Sequence, residues 1–172
     1  MESSRLTGLA PIVGKNMRTL VLGSMPGALS LDRGQYYAHP NNRFWPLVEM
    51  LFGIPSRLPY AERVVALNAA GVGLWDVIAS CERTGSLDSA IIKSTEAYND
   101  LGRLIGEHPE LRAICFNGAK AHGAFMRGLA PSLERISPGR LRFVPLPSTS
   151  PANASFTLER LALAWSILAI GS

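Results

Sequence analysis

Three short apolar runs limit what this chain can fold into. Arg18–Leu22 (RTLVL), Leu111–Phe116 (LRAICF) and Leu141–Leu146 (LRFVPL) are each followed at once by a break: Gly23, Asn117-Gly118 and Pro147. Apolar runs of this length, bounded by turn residues, read as buried strands. Val72–Val77 is a fourth candidate. The stretches between them read as helices: Arg43–Phe52, Ala61–Ala70 ended by Gly71, Tyr98–Glu107 closed by His108-Pro109, Gly118–Leu129, and a last one from Ser155 to about Ala169. Gly23–Asn42 reads as loop, Pro55–Pro59 as a turn and Glu82–Ser94 as irregular. Strands alternating with helices predict an α/β fold: a three-layer α/β/α sandwich with a central, mostly parallel sheet of about four strands. At 172 residues, one domain spanning 1–172 is expected. Ligands in such folds sit beyond the carboxyl ends of the strands. The loops Gly23–Asn42 and Pro147–Ala154 fall there and would face each other across one cleft.

Composition removes several function classes. With 47% hydrophobic residues the chain is not a disordered one. Its two cysteines, Cys81 and Cys115, form no C-x-x-C pair, so neither a zinc site nor an iron–sulfur cluster is expected, and no cofactor. Two free thiols fit a reduced cytoplasm. No apolar signal region follows Met1. The longest apolar stretch, Leu161–Ile170, is broken by Ser166 and falls short of the roughly 20 residues of a membrane span. A cytoplasmic monomer without membrane contact is expected. The net charge is +4, carried by 14 Arg and 3 Lys against 13 acids. That excess suits a polyanionic partner, and arises equally from Arg-rich codon usage.

Two segments carry more chemistry than connectors need. Gly23-Ser24-Met25-Pro26-Gly27 is a turn through which backbone can approach a ligand closely, or simply a tight exit from a strand. Tyr36 to Trp45 (YYAHPNNRFW) packs four aromatics, two Asn, a His and an Arg into one run. These segments, with Leu146-Pro147-Ser148-Thr149-Ser150-Pro151, resemble the mismatch-specific uracil and thymine DNA glycosylases. Those enzymes carry G-I-N-P-G, then F-A-H-P-x-N-R-F-W, then N-P-S-G-L-S in the same order. The resemblance is closer to the hypoxanthine-DNA glycosylase branch of the uracil-DNA glycosylase superfamily. That branch has G-S-M-P-G, A-H-P-x-N and L-P-S-T-S-P-A, with G-L-W-D-V and G-S-L-D-S between. Here these read Gly23 to Gly27, Ala38 to Asn42, Leu146 to Ala152, Gly73 to Val77 and Gly85 to Ser89.

The resemblance implies a metal-free enzyme that flips a deaminated base, most simply hypoxanthine, out of DNA and hydrolyses its N-glycosidic bond. Uracil is the alternative substrate. It implies that Gly23, Ser24, Met25, Pro26 and Gly27 line the base pocket and that Tyr37 stacks on the base. Pro147, Ser148, Thr149, Ser150 and Pro151 would press on DNA and fill the gap left by the extruded nucleotide. Met25 stands where relatives place a water-positioning Asn, a task a thioether cannot perform. Catalysis then passes to Asn42, whose carbonyl would hold the water, with Asn41 second; the other role open to Asn42 is a helix N-cap.

Further residues have open readings. Asn117 contacts the base edge or only turns the chain. Asp76 polarises water or, as the nearer expectation, pairs with an Arg at the surface. His39 reads as a loop brace, Phe44 and Trp45 as core, Lys120 as a solvated helix charge, and His108 and His122 as helix-surface residues. Two other classes of function remain. A serine hydrolase would use Ser24, His39 and Asp32 or Asp76, although the G-x-S-x-G elbow is missing. A non-catalytic DNA-binding relic would keep the fold and lose the water.

Overall fold

The computed structural model describes residues 4–170. Its elements, in chain order, are β1 (Ser4–Thr7), β2 (Thr19–Gly23), α1 (Ala28–Arg33), α2 (Phe44–Phe52), α3 (Tyr60–Ala69), β3 (Val72–Asp76), β4 (Ile78–Arg83), β5 (Ala97–Tyr98), α4 (Leu101–Glu107), β6 (Ala113–Asn117), α5 (Ala119–Gly128), α6 (Ala130–Ile136), β7 (Arg142–Leu146), α7 (Leu158–Trp165) and α8 (Ile167–Ile170). Strands β3, β2, β6 and β7 pair in that order, all parallel, and form the expected central sheet.

Side-chain alternation along the strands explains the layers. Leu20 and Leu22 of β2, with Ile114 and Phe116 of β6, point to one face and pack with Leu104, Phe125 and Leu133 of α4, α5 and α6. Val21 and Cys115, one residue out of phase, point to the other face, with Phe44, Leu67, Leu161 and Trp165 of α2, α3 and α7. Strands β2 and β6, whose successive residues are all buried, need helices on both sides, which is why they read as unbroken apolar runs.

Strand order also places the site. From β2 the chain moves outward to β3 on one side, then returns to lay β6 and β7 on the other. The reversal opens a crevice at the carboxyl ends of β2 and β6, which is where open α/β sheets bind ligands.

Several sequence expectations need correction. A second sheet, β1-β4-β5, is antiparallel and was not anticipated. Its edge strand Ser4–Thr7 is largely exposed and has no apolar period to reveal it. It covers an apolar cluster of Met25, Ile78, Cys81 and Ile91. The stretch expected as loop after β2 contains helix α1. Tyr98 ends β5 instead of opening a helix; α4 starts after Asp100, whose carboxylate accepts from the Arg103 N–H at 3.0 Å. The helix after β6 continues as a separate helix α6 beyond Leu129. The last helix starts at Leu158, capped by Thr157, and breaks at Ser166. Lys120 is not a solvated charge: it contacts the carboxylate of Glu96, whose side chain is 1% exposed, and Arg127 lies 3.8 Å from the same carboxylate. His122 packs its ring 5.1 Å from that of Phe116.

Candidate active site

A cleft of about 570 Å³ opens at the switch point. It is lined by Gly23 to Ser30 after β2, by Tyr36, Tyr37, His39 and Asn42, by Asp76 at the end of β3, by Ser86 to Ser89, by Asn117 at the end of β6, and by Ser148 to Asn153 after β7. The volume is in the ordinary range for small-molecule sites.

The floor is made by Gly23, Asp76 and Tyr37. A side chain at position 23 would place its Cβ 2.5 Å from Asp76 Oδ1, so only glycine lets the β3 carboxylate sit beside β2. Asp76 is 4% exposed, and its Oδ2 is buried without a hydrogen-bond partner. The expected surface pairing with an Arg is therefore wrong. Burial, then the nearby Asp88 carboxylate, push the Asp76 pKa up to about 7, against the opposing pull of Arg83. The Tyr37 hydroxyl is also buried and unpartnered. Its pKa is raised, first by burial and then by Asp76, against the opposing pull of the neighbouring Asn117 side chain, which faces it without completing a well-aligned hydrogen bond. Asp76 Oδ2, which makes no bond within the protein, carries a desolvation cost of roughly 1–3 kcal/mol, and the Tyr37 hydroxyl, with only Asn117 beside it, carries part of one. Such groups beside an open cavity are placed for a ligand.

Tyr37 is held there against its own preference. Its φ is +56°, the one positive value outside glycine among the described residues. A non-glycine residue in this region costs of order 1–3 kcal/mol and persists only where the surroundings over-determine it. On one side the Tyr36 N–H donates to the Tyr60 hydroxyl at 3.0 Å; on the other the Ala38 N–H donates to Ser30 Oγ at 3.1 Å. The Tyr37 ring is stacked on Phe44 with centroids 4.1 Å apart and an interplanar angle of 26°. Phe44 and Trp45 are core, as expected.

A second group of amides links three loops. Asn42 Oδ1 accepts from the Phe44 N–H at 3.0 Å and from the Thr149 hydroxyl at 2.9 Å. Thr149 Oγ1 accepts from Asn117 Nδ2 at 3.0 Å, and the Thr149 N–H donates to Asn117 Oδ1 at 2.9 Å. Because the Phe44 N–H can only donate, the atom facing it must be the Asn42 carbonyl oxygen. Both of its lone pairs are occupied, so the amide Nδ2 is what Asn42 can offer to the cleft. This corrects the expectation that the carbonyl holds a water. Arg43 holds the same junction from beneath. Its guanidinium donates to the carbonyls of Ser150 at 2.8 Å, Asn153 at 2.9 Å and Phe156, and its own N–H donates to Thr149 O at 3.1 Å.

The structure gathers the sequence-derived residues in one cleft, with exceptions. Pro147 lies outside it, in a shallower hollow with Gly118, His122 and Phe156, and its carbonyl accepts from Trp165 Nε1 at 2.9 Å. Thr149 is 0% exposed and spent on Asn42 and Asn117, so it is not offered to DNA. Met25 reaches the wall but belongs to the apolar cluster under β4. His39 braces its loop: its Nδ1 accepts from the Asn41 N–H at 3.1 Å. Ser24 donates to Asp88 Oδ1 at 2.5 Å, not to a histidine, which removes the serine-hydrolase reading. Among the described residues no group of three or more His, Cys, Asp or Glu side chains is placed to hold a metal, and no helix is long and apolar enough to cross a membrane.

The sequence reading missed the wall from Ser86 to Ser89. Ser86 Oγ accepts from the Ala28 N–H at 2.9 Å and Asp88 from Ser24, joining this wall to the first loop. Its signal was the G-S-L-D-S string, noted for resemblance and given no role.

Comparison with known proteins places the chain among relatives. The family model described as "Uracil DNA glycosylase superfamily" matches residues 11–169. A protein of Methanosarcina acetivorans named hypoxanthine DNA glycosylase is 35% identical over 156 residues, covering 89% of this chain and 91% of its own length. A protein of the same name from Methanosarcina barkeri is 36% identical over 115 residues, covering 66% and 72%. A solution NMR structure from Methanosarcina acetivorans, titled as a candidate uracil DNA glycosylase, superposes with a TM-score of 0.80 at 32% identity, covering 98% of this chain and 99% of that one.

Proposed function

The chain belongs to the uracil DNA glycosylase superfamily, and on that premise we propose that it removes hypoxanthine from deoxyinosine in DNA by hydrolysing the N-glycosidic bond. The observation that carries this reading is the cleft floor, where Asp76 Oδ2 stands buried and unpartnered beside the buried Tyr37 hydroxyl. Deamination turns the amidine edge of adenine into a lactam, exchanging an amino donor for a carbonyl acceptor and a ring acceptor for an N–H donor. With the base oriented by its bond to the sugar, Tyr37 donates to the carbonyl and ionised Asp76 accepts from the ring N–H. Adenine presents the reverse pattern to the same two partners, leaving buried polar groups unpaired, which is the strongest form of rejection a small site has. Uracil carries the same lactam edge and is the second substrate of this floor.

The reaction needs little from the protein beyond position and charge. As the C1′–N9 bond breaks, its electron pair goes to the base and positive charge develops on the sugar. Water adds its oxygen to C1′, and its proton ends on the departing purine. Asp76 and Tyr37 lie at the floor, where the base goes; half-buried Asn42 lies at the wall of the cleft, where the sugar passes. Asn42 Nδ2 holds the water oxygen there, while Asn117 and Thr149 fix the Asn42 side chain. Ser148, Ser150 and Pro151 form the lip that meets the strand. The enzyme acts as a cytoplasmic monomer without a metal.

The test is release of free hypoxanthine from a deoxyinosine oligonucleotide in the presence of chelator, with an intact abasic site as co-product. A nicked strand would indicate a lyase. Tight binding with no base released from inosine or uracil DNA would indicate a relic.

A further inference from the structure

Extruding a nucleotide from a duplex costs unstacking and leaves a hole, and proteins that do this commonly insert an apolar side chain in its place. The loop Pro147 to Pro151 was expected to fill that hole, and the structure of the lip argues against this. Thr149 is wholly buried, and Pro151 and Ala152, which are exposed, are short. No long apolar side chain stands on this lip.

The opposite wall has one. Leu87 lines the cleft and is 57% exposed. Among the described residues, none of the other exposed large apolar side chains lines it. The exposure is built in, because the residues on both sides of Leu87 are tied down. Ser86 accepts from the Ala28 N–H, Asp88 accepts from Ser24, and the Ala90 N–H donates to Leu87 O at 3.1 Å. Beneath, Arg83 is 2% exposed and bridges the two loops, donating from Nε to Gly85 O at 2.9 Å and from Nη2 to Pro26 O at 2.7 Å. Burying an Arg to hold two carbonyls gives a rigid mount for a short exposed turn. The neighbours of Leu87 in that turn, Gly85, Ser86, Asp88 and Ser89, are all small or polar, so the leucine is the only apolar group the mount presents.

We infer that Leu87 is the wedge that enters the base stack and holds the place of the extruded nucleotide. The inference rests on the glycosylase reading above and concerns paired DNA only, since a single strand has no stack to fill. Leu87 is a positioning residue: it acts on the duplex and does not touch the scissile bond.

The experiment measures single-turnover base release from one deoxyinosine strand, alone and annealed to its complement. Leu87→Ala should lose roughly 10-fold or more on the duplex, in line with losing about half of a leucine burial. Its loss on the single strand should be much smaller than on the duplex, and Leu87→Met should restore the duplex rate. Equal loss on both substrates, or none on the duplex, overturns the wedge. Binding to a duplex holding a stable abasic analogue serves as a second readout, expected to weaken in Leu87→Ala and not in Leu87→Met. If wild type releases no base but shows this binding difference, the catalytic reading fails and the wedge stands. If wild type releases base and Leu87→Ala matches it on the duplex, the wedge fails alone.

Discussion

Replacing Asp76 by Asn should stabilise the protein above neutral pH and not below about pH 4. The folded carboxyl titrates at about 7, against an ordinary value of 3.8, because burial and the Asp88 charge disfavour its ionised form. A group whose folded pKa is raised favours the native state fully below its unfolded value. That contribution is lost as pH rises toward the folded value, and the loss is complete above about pH 7. At 1.36 kcal/mol per pKa unit the whole loss is roughly 4 kcal/mol. Asn has the same shape and no charge, so the variant should escape this loss. It leaves an amide N–H without a partner, which takes back about 1–3 kcal/mol at every pH. The absolute gain at pH 8 is therefore modest, but the change in ΔΔG between pH 4 and pH 8 should approach the full ~4 kcal/mol. Urea unfolding of both proteins, followed by tryptophan fluorescence across that range, gives the difference, and other titrating groups cancel between the two. A ΔΔG that stays flat with pH would refute the burial argument. In the same range wild-type excision should rise with pH through about 7, as Asp76 ionises and can accept from the ring N–H, and Asp76→Asn should flatten that rise.

Asn42→Ala should lower single-turnover excision by ~100-fold or more, as for loss of one oriented polar group. Its stability cost should stay near ~1–2 kcal/mol, the value of a missing cap; activity that falls only in step with the melting temperature would make Asn42 structural. Tyr37→Phe keeps the ring on Phe44 and removes only the buried hydroxyl, so it should lose roughly 10-fold in kcat/KM for deoxyinosine DNA with nonspecific DNA affinity unchanged; loss of both together would show that Tyr37 only supports the fold. Arg43→Ala leaves the carbonyls of Ser150, Asn153 and Phe156 without their donor and should lower stability by ~2–4 kcal/mol, with early proteolysis between residues 148 and 156; a melting curve equal to wild type would refute the stitching role.

The parts legible in the sequence were those with a local signal. Apolar runs such as LRAICF gave the central sheet and its loops, and the length of YYAHPNNRFW marked the cleft. What escaped depends on residues far apart in the chain. Arg43 reaches carbonyls more than 100 positions away, and Asn42 meets Asn117 only through Thr149, so neither pairing leaves a pattern in a window of sequence. Asp76 looks like any acid after a strand until Gly23 is seen to make room beside it. β1 is an exposed polar edge strand, and Leu87 gains meaning only when the opposite lip proves to have no bulk.

The central claim is that the floor of the cleft reads the lactam edge of a deaminated base. The direct measurement is single-turnover base release, with chelator present, from otherwise identical oligonucleotides holding inosine, uracil or adenine at one position. The account predicts free hypoxanthine with an intact abasic site, slower or comparable release of uracil, and no release of adenine. Removal of adenine at a rate comparable to hypoxanthine, or no base released from the inosine strand, would contradict it.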